Sequence, residues 1–468
     1  MTMKNGNKST RLRAGTADAI RWPVLALAAV LAPAVAITLH AQQAADPARR
    51  FVPFQEFLAS VTSADPAAHF GRSSARVTNM EAFEEMRRHV LRMYDGVVVN
   101  HSFVMNNHHF DCVPITQQPS VRLLGIDRIE APLEPALSEP SHANAPGDLF
   151  TISQLDSTVA LDSFGNSLQC EEETIPMRRI TLEDLTRFPT LRAFFEKGPN
   201  GAGRAPQPSE TTPPSPTGHL HVTGVGAFDN LGGQSYLNLW SPSVGPDSTF
   251  SLSQQWWYGG TGSSLQTVEG GWQVYPDYYG TENAALFIYW TADNYHETGC
   301  YNLDCPGFVQ VDNRWKLGGG FPKYSTAGGP QYGFTMQWVM RNGNWWLKLN
   351  NDLVGYYPGS IYRGGQLSTN AQHYRFGGET AVPNWACYPF FCPAPTWAPM
   401  GSGAWAEAGY GHAAFQGSMR VLDTSKKWWD ASIIIVSEAP NCYSGFGDVL
   451  YGTHLFFGGP GGKNCGPW

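Results

Sequence analysis

Apolar residues follow a helical repeat in two stretches of the chain and an every-other-residue repeat in many more. In "NMEAFEEMRRHVLRMYDG", Met80, Phe83, Met86, Val90, Leu91 and Tyr94 share one helical face, Asn79 stands in the N-cap position and Gly96 marks the stop. In "TLEDLTRFPTLRAFFEKG", Thr181 caps a shorter helical segment that Pro189 breaks, since proline supplies no N–H and clashes with the turn before it. Residues 198–218, "GPNGAGRAPQPSETTPPSPTG", hold almost nothing apolar and predict an exposed, protease-accessible linker. From His219 onward, short alternating runs are punctuated by Gly, Pro, Asn and Asp. "SYLNLWSP", "TFSLSQQWWYGG", "QTVEGGWQVYP", "ALFIYWTAD", "GFVQVDN", "YGFTMQWVMRNGNWWLKLNNDLVGYYP" and "SIIIVSEAP" predict strands, and "RNGN" predicts a tight hairpin. So many short strands without a long helical run predict an all-β domain, an antiparallel β-sandwich of two stacked sheets. No repeat supports a propeller.

The length of 468 residues exceeds one ordinary domain and predicts two. The 13% aromatic content, 50 Gly and 34 Pro against 15% charged residues suit strands and turns. A net charge of −8 without acidic or basic blocks leaves no electrostatic footprint for nucleic acid. Lys4, Lys8, Arg11, Arg13 and Arg21 precede an apolar run from Trp22 to Leu39 and a small residue at Ala41. That order predicts a secretory signal peptide over residues 1–41, and Pro23 and Pro33 weaken the competing reading of a membrane anchor. Nothing later resembles a membrane span. Eight cysteines in an exported chain point to disulfides, of which eight allow 105 connectivities. Local pairing joins Cys300 with Cys305 and Cys387 with Cys392. Cys442 with Cys465 and Cys112 with Cys170 then close loops within each half. The spacings do not suit a zinc site, and no other metal or cofactor motif is present.

Nucleophile-elbow, zincin and dinucleotide motifs are absent, and "GGPGGKN" lacks the hydroxyl residue of a phosphate loop and reads as a turn. Attention falls instead on an acid inside a strand. In "QTVEGGWQVYPDYY", alternation puts Thr267, Glu269, Gly271 and Gln273 on one face and Val268, Trp272 and Val274 on the other. The apolar set seats the strand, while Gly271 leaves room beside the acid for a backbone or a substrate. "YRFGGETAV" holds the same ingredients in reverse, with Arg375, Gly377 and Glu379 on one face. Two carboxylates in one cleft cannot both ionise cheaply, so one keeps a proton and can act as acid while the other activates water. Peptide hydrolysis and glycoside hydrolysis both use such a pair. A non-catalytic carbohydrate-binding sandwich, with both acids as edge-strand charges, is the third reading.

The motifs "TVEGGWQVYPDYYG", "ALFIYWTADNYHETGCYNLDCPGFVQ", "FGGETAV", "GNWWL", "VGYYP", "MGSGAWAEAGYGHAAF", "NCY" and "YGTHLFFGGPGGKNC" resemble, in order, the neprosin family of glutamic endopeptidases. "HFDCVPITQQPSV" resembles that family's N-terminal activation domain and "LTRFPTLRAFFEKGP" its end, so the likeness runs over roughly residues 80 to 468. It implies a secreted zymogen, extracellular or periplasmic, that cleaves after proline in acid with a glutamate dyad and without cofactor or metal. By motif the dyad is Glu269 and Glu379. The organisation that follows is a signal peptide (1–41), a smaller α+β propeptide domain (42–197), a linker with the processing site (198–218) and the catalytic β-sandwich (219–468). Expected partners are Pro-containing peptides or proteins and the chain's own propeptide as intramolecular inhibitor. Pro206, Pro208, Pro213, Pro214 and Pro216 make the linker a plausible substrate of such an enzyme.

Gln273 shares the face of Glu269 and is a candidate to hold water or the oxyanion, with Gly271 and Gly377 as candidate substrate contacts. His296 and Glu297 read as loop residues ahead of a disulfide. The stretch 387–399, "CYPFFC" with its proline-rich continuation, departs from the pattern of the better-known plant members. Between His219 and Trp468 there are only 11 Lys plus Arg and 6 His, so protonating every carboxylate leaves modest self-repulsion, which favours survival in acid.

Overall fold

The computed structural model describes residues 50–72, 74–130, 149–152, 154, 161–197, 218–383, 394–448 and 453–465. The expected signal peptide, nearly all of the linker and the expected Cys387–Cys392 pair lie outside the described residues. Before the linker the chain forms α1 (Phe54–Thr62), α2 (Met80–Met93), β1 (Ser102–Met105), β2 (His108–Pro114), α3 (Pro119–Leu124), β3 (Leu149–Thr151), β4 (Thr174–Arg178), α4 (Leu182–Thr186) and α5 (Leu191–Phe195). After it come β5 (His219–Asn238), β6 (Phe250–Gly259), β7 (Gln266–Val274), α6 (Pro276–Tyr279), β8 (Ala285–Thr291), β9 (Val309–Gln310), β10 (Gln331–Arg341), β11 (Asn344–Leu349), β12 (Asp352–Pro358) and β13 (Ala371–Ala381). The last strands are β14 (Ala414–Asp423), β15 (Trp428–Asp430), β16 (Ile434–Ser437), β17 (Ser444–Asp448) and β18 (His454–Gly458).

Helix α2 starts where Asn79 Oδ1 accepts the Ala82 N–H at 2.8 Å, and it buries Phe83, Met86, Val90 and Met93. Each such side chain is worth about 1.5–3 kcal/mol when removed from water. Pro189 separates α4 from α5. Thr181 and Thr190 cap the two pieces, the first through a reciprocal box with Asp184. The "RNGN" hairpin joins β10 to β11, and Asn342 and Gly343 both take the positive φ that a tight hairpin turn demands.

The strands after the linker build an antiparallel two-layer fold, to which β3 adds one short parallel pairing on β10. The layers share β5 and so form one continuous ladder. Residues 219–230 of β5 run beside β13, with β16 along Val222–Val225, in the layer β8-β7-β6-β13-β5. Residues 232–238 run beside β10, in the layer β5-β10-β11-β12-β9, with β14 on the other edge. Between the layers, Gln255 Nε2 donates to Ser235 Oγ at 2.7 Å and Met336 O at 2.9 Å, while Gln416 Nε2 donates to Gln254 O at 2.9 Å. These amides are buried and bonded, as polar groups inside a core must be.

The segment before the linker packs on α6, the loop after β8 and β9, and reaches β7 and β8 through Lys197 and Phe195. Phe194 stacks on Tyr278 at 4.6 Å, and Arg178 meets Asp304 at 3.0 Å with both side chains buried. Gln118 exchanges two hydrogen bonds with the Gln310 backbone, and Gln154 grips the Lys316 backbone in the same way. Strand β7 is buried on both faces, its Glu269 face under Tyr295 and Tyr301 of the loop after β8 and under Lys197. Disulfides join Cys112 to Cys170, Cys300 to Cys305 and Cys442 to Cys465 as expected. No helix among the described residues is long and apolar enough to cross a membrane.

Candidate active site

Strand β6 lies between β7 and β13, and the registers align three rows across them. Glu269 is level with Trp256 and Arg375, Gly271 with Gln254 and Gly377, and Gln273 with Leu252 and Glu379. The mirrored order of the two motifs therefore sets the acids at opposite corners of one patch, with glycines across the middle row. A Cβ on Gly271 would stand 1.9 Å from Ser253 O, and one on Gly377 would stand 2.1 Å from Val222 O. The room at each glycine is filled by the neighbouring strand's backbone, so it is the backbone half of that expectation that the fold uses.

Both glutamates are buried, at 0% and 1% exposure. Glu269 Oε1 accepts from Thr267 Oγ1 at 2.7 Å and from Tyr295 OH at 2.6 Å, and its Oε2 accepts from Gln254 Nε2 at 3.0 Å. Burial first and Glu269 second push the Tyr295 pKa well up, so that hydroxyl keeps its proton. Glu379 Oε1 faces two imidazoles, His219 Nδ1 at 2.6 Å and His221 Nε2 at 3.5 Å. His221 Nδ1 turns to Glu438 Oε2 at 2.8 Å.

A cation links the two acids. Lys197 Nζ donates to Glu269 Oε2 at 2.5 Å and to Glu379 Oε2 at 3.0 Å, and it lies 5.1 Å from the Trp256 ring centroid. It comes from the segment before the linker. Arg192 of α5 donates to Tyr295 O and Glu297 O, each at 2.9 Å, and Tyr289 OH donates to Phe195 O at 3.1 Å, which aims the next residues into the patch. Burial alone would lower the Lys197 pKa, but Glu269 and then Glu379 outweigh it and raise it. Burial likewise works to raise Glu379, and Lys197, His221 and the hydrogen bonds from His219 and His221 together hold it well below the ordinary carboxylate range.

Glu269 and Glu379 are thus brought to one site. Gln273 is buried in the Glu379 row, donates to Tyr301 OH at 3.3 Å and makes no hydrogen bond to either glutamate. His296 and Glu297 sit exposed in the turn that Asp293 caps, ahead of Cys300. Lys197, His219, His221, Gln254, Tyr295 and Glu438 escaped the sequence reading. The one usable signal was "HLH" directly after the linker, two histidines at strand spacing.

An antiparallel β fold with two buried glutamates converging on one point, and no free cysteine among the described residues, defines a carboxylate-pair site. Residues 247–460 match the model of the Neprosin family. Among solved structures, scytalido-glutamic peptidase with a transition state analog inhibitor aligns over 51% of this chain and 97% of its own, at 11% identity and a TM-score of 0.29. The same peptidase with a peptide-based analog gives 12% identity, the same coverage and a TM-score of 0.27. SCP-B, a member of the Eqolisin family of peptidases in complex with the tripeptide Ala-Ile-His, gives 10% identity, coverage of 51% and 96%, and a TM-score of 0.25.

Proposed function

We propose that the chain is the zymogen of a secreted glutamic endopeptidase that cuts after proline in acid, with Glu269 and Glu379 as its catalytic pair. The observation that carries this reading is the shared ammonium. Two carboxylate oxygens that both bond one Nζ, at 2.5 and 3.0 Å, are spaced to share one water once that cation is gone. Lys197 then stands where the nucleophile would stand, and the segment before the linker is the inhibitor that carries it there. After cleavage in the linker the ionised glutamate takes a proton from the water as it attacks the amide carbonyl. The protonated one polarises that carbonyl and then passes its proton to the leaving nitrogen. The proline preference rests on the family likeness and on the prolines of the linker.

The test is mass-spectrometric mapping of a denatured protein digested by the purified chain at about pH 4, in the range where a buried carboxylate pair shares one proton. Glu269→Gln and Glu379→Gln are run beside it. Cuts after proline in the wild type, reduced by a factor of at least ~10³ in both variants, are expected. Sugar release dependent on the same residues, or no turnover after the linker is cut in trans, goes against the peptidase reading.

A further inference from the structure

The two glutamates are held by different kinds of partner. Glu269 is bound by two hydroxyls and an amide besides Lys197. A hydroxyl can rotate and accept as readily as it donates, so this cradle suits a carboxylic acid as well as a carboxylate. Glu379 has no such latitude. Its Oε1 faces His219 and His221, and His221 uses its other nitrogen on Glu438. A carboxylate hydrogen-bonded at one nitrogen, 2.8 Å away, and a second at ion-pair distance, 3.5 Å, from the other favour the imidazolium form of His221.

We propose that Glu379 is the member of the pair that stays ionised and serves as general base, that Glu269 is its proton-donating partner, and that His219, His221 and Glu438 are positioning residues that keep Glu379 charged. This rests on the peptidase reading above. The backbone fixes the relay, because His221 N donates to Glu438 Oε2 at 2.9 Å and Glu438 N donates to His221 O at 3.1 Å. Burial works to lower the His221 pKa, yet Glu438 and then Glu379 carry it up to about 9, so the cation persists through the acid range. The groups that face Glu379 are His219 and His221 from β5, Glu269 from β7, Glu438 just past β16, and Lys197. Arg375 lies on the same face of β13 and donates to Tyr258 OH at 3.1 Å. Departure of Lys197 frees Oε2 toward the water and leaves Oε1 tethered to both imidazoles.

The experiment measures kcat/KM and KM against pH for the processed wild type, His221→Gln, Glu438→Gln and Tyr295→Phe on a proline-containing peptide. Loss of the imidazolium raises the pKa of the base, so activity fails sooner as pH falls. The acid limb of His221→Gln is expected to move up by roughly one pH unit or more. Glu438→Gln should move it less, Tyr295→Phe should leave it in place, and KM on the plateau should change less than about twofold. If His221→Gln does not fold, Glu438→Gln, whose amide oxygen still accepts from His221, carries the test. A limb unmoved in both relay variants, or moved only by Tyr295→Phe, overturns the assignment while the wild type still cleaves. A wild type that cleaves nothing at any pH after linker cutting overturns the peptidase reading and the assignment with it.

Discussion

Lys197 is the residue on which the proposed latency turns. One ammonium neutralises two carboxylates that would otherwise repel each other in a buried patch, and it lies over the Trp256 ring. Removing one partner of a buried ion pair costs about 3–5 kcal/mol unless the remaining charges rearrange, and here one glutamate can take up a proton. Lys197→Met keeps the length and removes the charge. The variant is expected to cut its own linker faster than wild type and to do so at a higher pH, as read from a gel time course across pH. Unchanged processing would mean that the rest of the interface, not this tie, keeps the segment docked. The pH sense follows from Glu379. Its lowered pKa adds to the docked state above the ordinary carboxylate value, and that contribution is lost as pH falls through the lowered one. Lys197, with a raised pKa, stays charged throughout. Apart from the two histidines of "HLH", none of these partners of the pair left a signal in the sequence. Glu269 and Glu379 stood out because an acid flanked by glycines is unusual in a strand, whereas a lysine at the end of a helical segment and histidines at the start of a strand are ordinary where they stand.

At the scale of elements, the patch depends on how closely three strands lie. A methyl on Gly271 would meet Ser253 O at 1.9 Å and Gln254 Cα at 2.7 Å, both backbone, so β6 and β7 would have to part. Gly271→Ala is expected to lower stability by on the order of 2 kcal/mol or more in urea unfolding. Gly245→Ala, with nothing within 4 Å of the added carbon, is expected to stay near wild type. Equal effects would show that strand separation is not what Gly271 protects. The same closeness explains which elements could be foreseen. Strands β6, β7 and β8, the β10–β11 hairpin and helix α2 announce themselves because an apolar stripe with turn or cap signals at its ends suits one period only. The first half of β5 does not. "HLHVTGVGAFDNLGG" is diluted by Gly224, Gly226, Gly232 and Gly233, and its pairing with β13, β16, β10 and β14 is a property of the assembled layers. The stretch that brings His219 and His221 to Glu379 was therefore among those that alternation missed, as were β14, β15, β17 and β18.

At the scale of the whole molecule, acid acts unequally on the two sides of the linker. In the N-terminal half, burial and then Arg178 bring the His108 pKa down to about 3, and burial and then Arg179 bring His109 to about 4. Burial brings His89 to about 4 even though its Nε2 donates to Asp304 O at 2.9 Å, beside the buried Arg178–Asp304 pair that joins the halves. A histidine whose folded pKa lies below its free value of about 6.5 costs nothing above that pH. Below it the undocked or unfolded chain binds the extra proton, so stability is lost as pH falls, until the folded pKa is reached. Three such groups together amount to a loss on the order of several kcal/mol. Across the linker, His221 is shifted the other way and contributes most below neutrality. Acid should therefore loosen the covering half while the glutamate patch stays formed, which would couple the proposed activation to the proposed acid activity. In a Glu269→Gln background, which on the proposed mechanism does not cut itself, hydrogen exchange at falling pH is expected to open α2, β1, β2 and β4 before β6, β7 and β13. Adding His89→Gln and His108→Gln should move the midpoint of that opening down by roughly half a pH unit or more, since two of the titrating groups are gone. An unmoved midpoint, or simultaneous opening of both halves, would assign acid release to the carboxylates of the Lys197 tie instead.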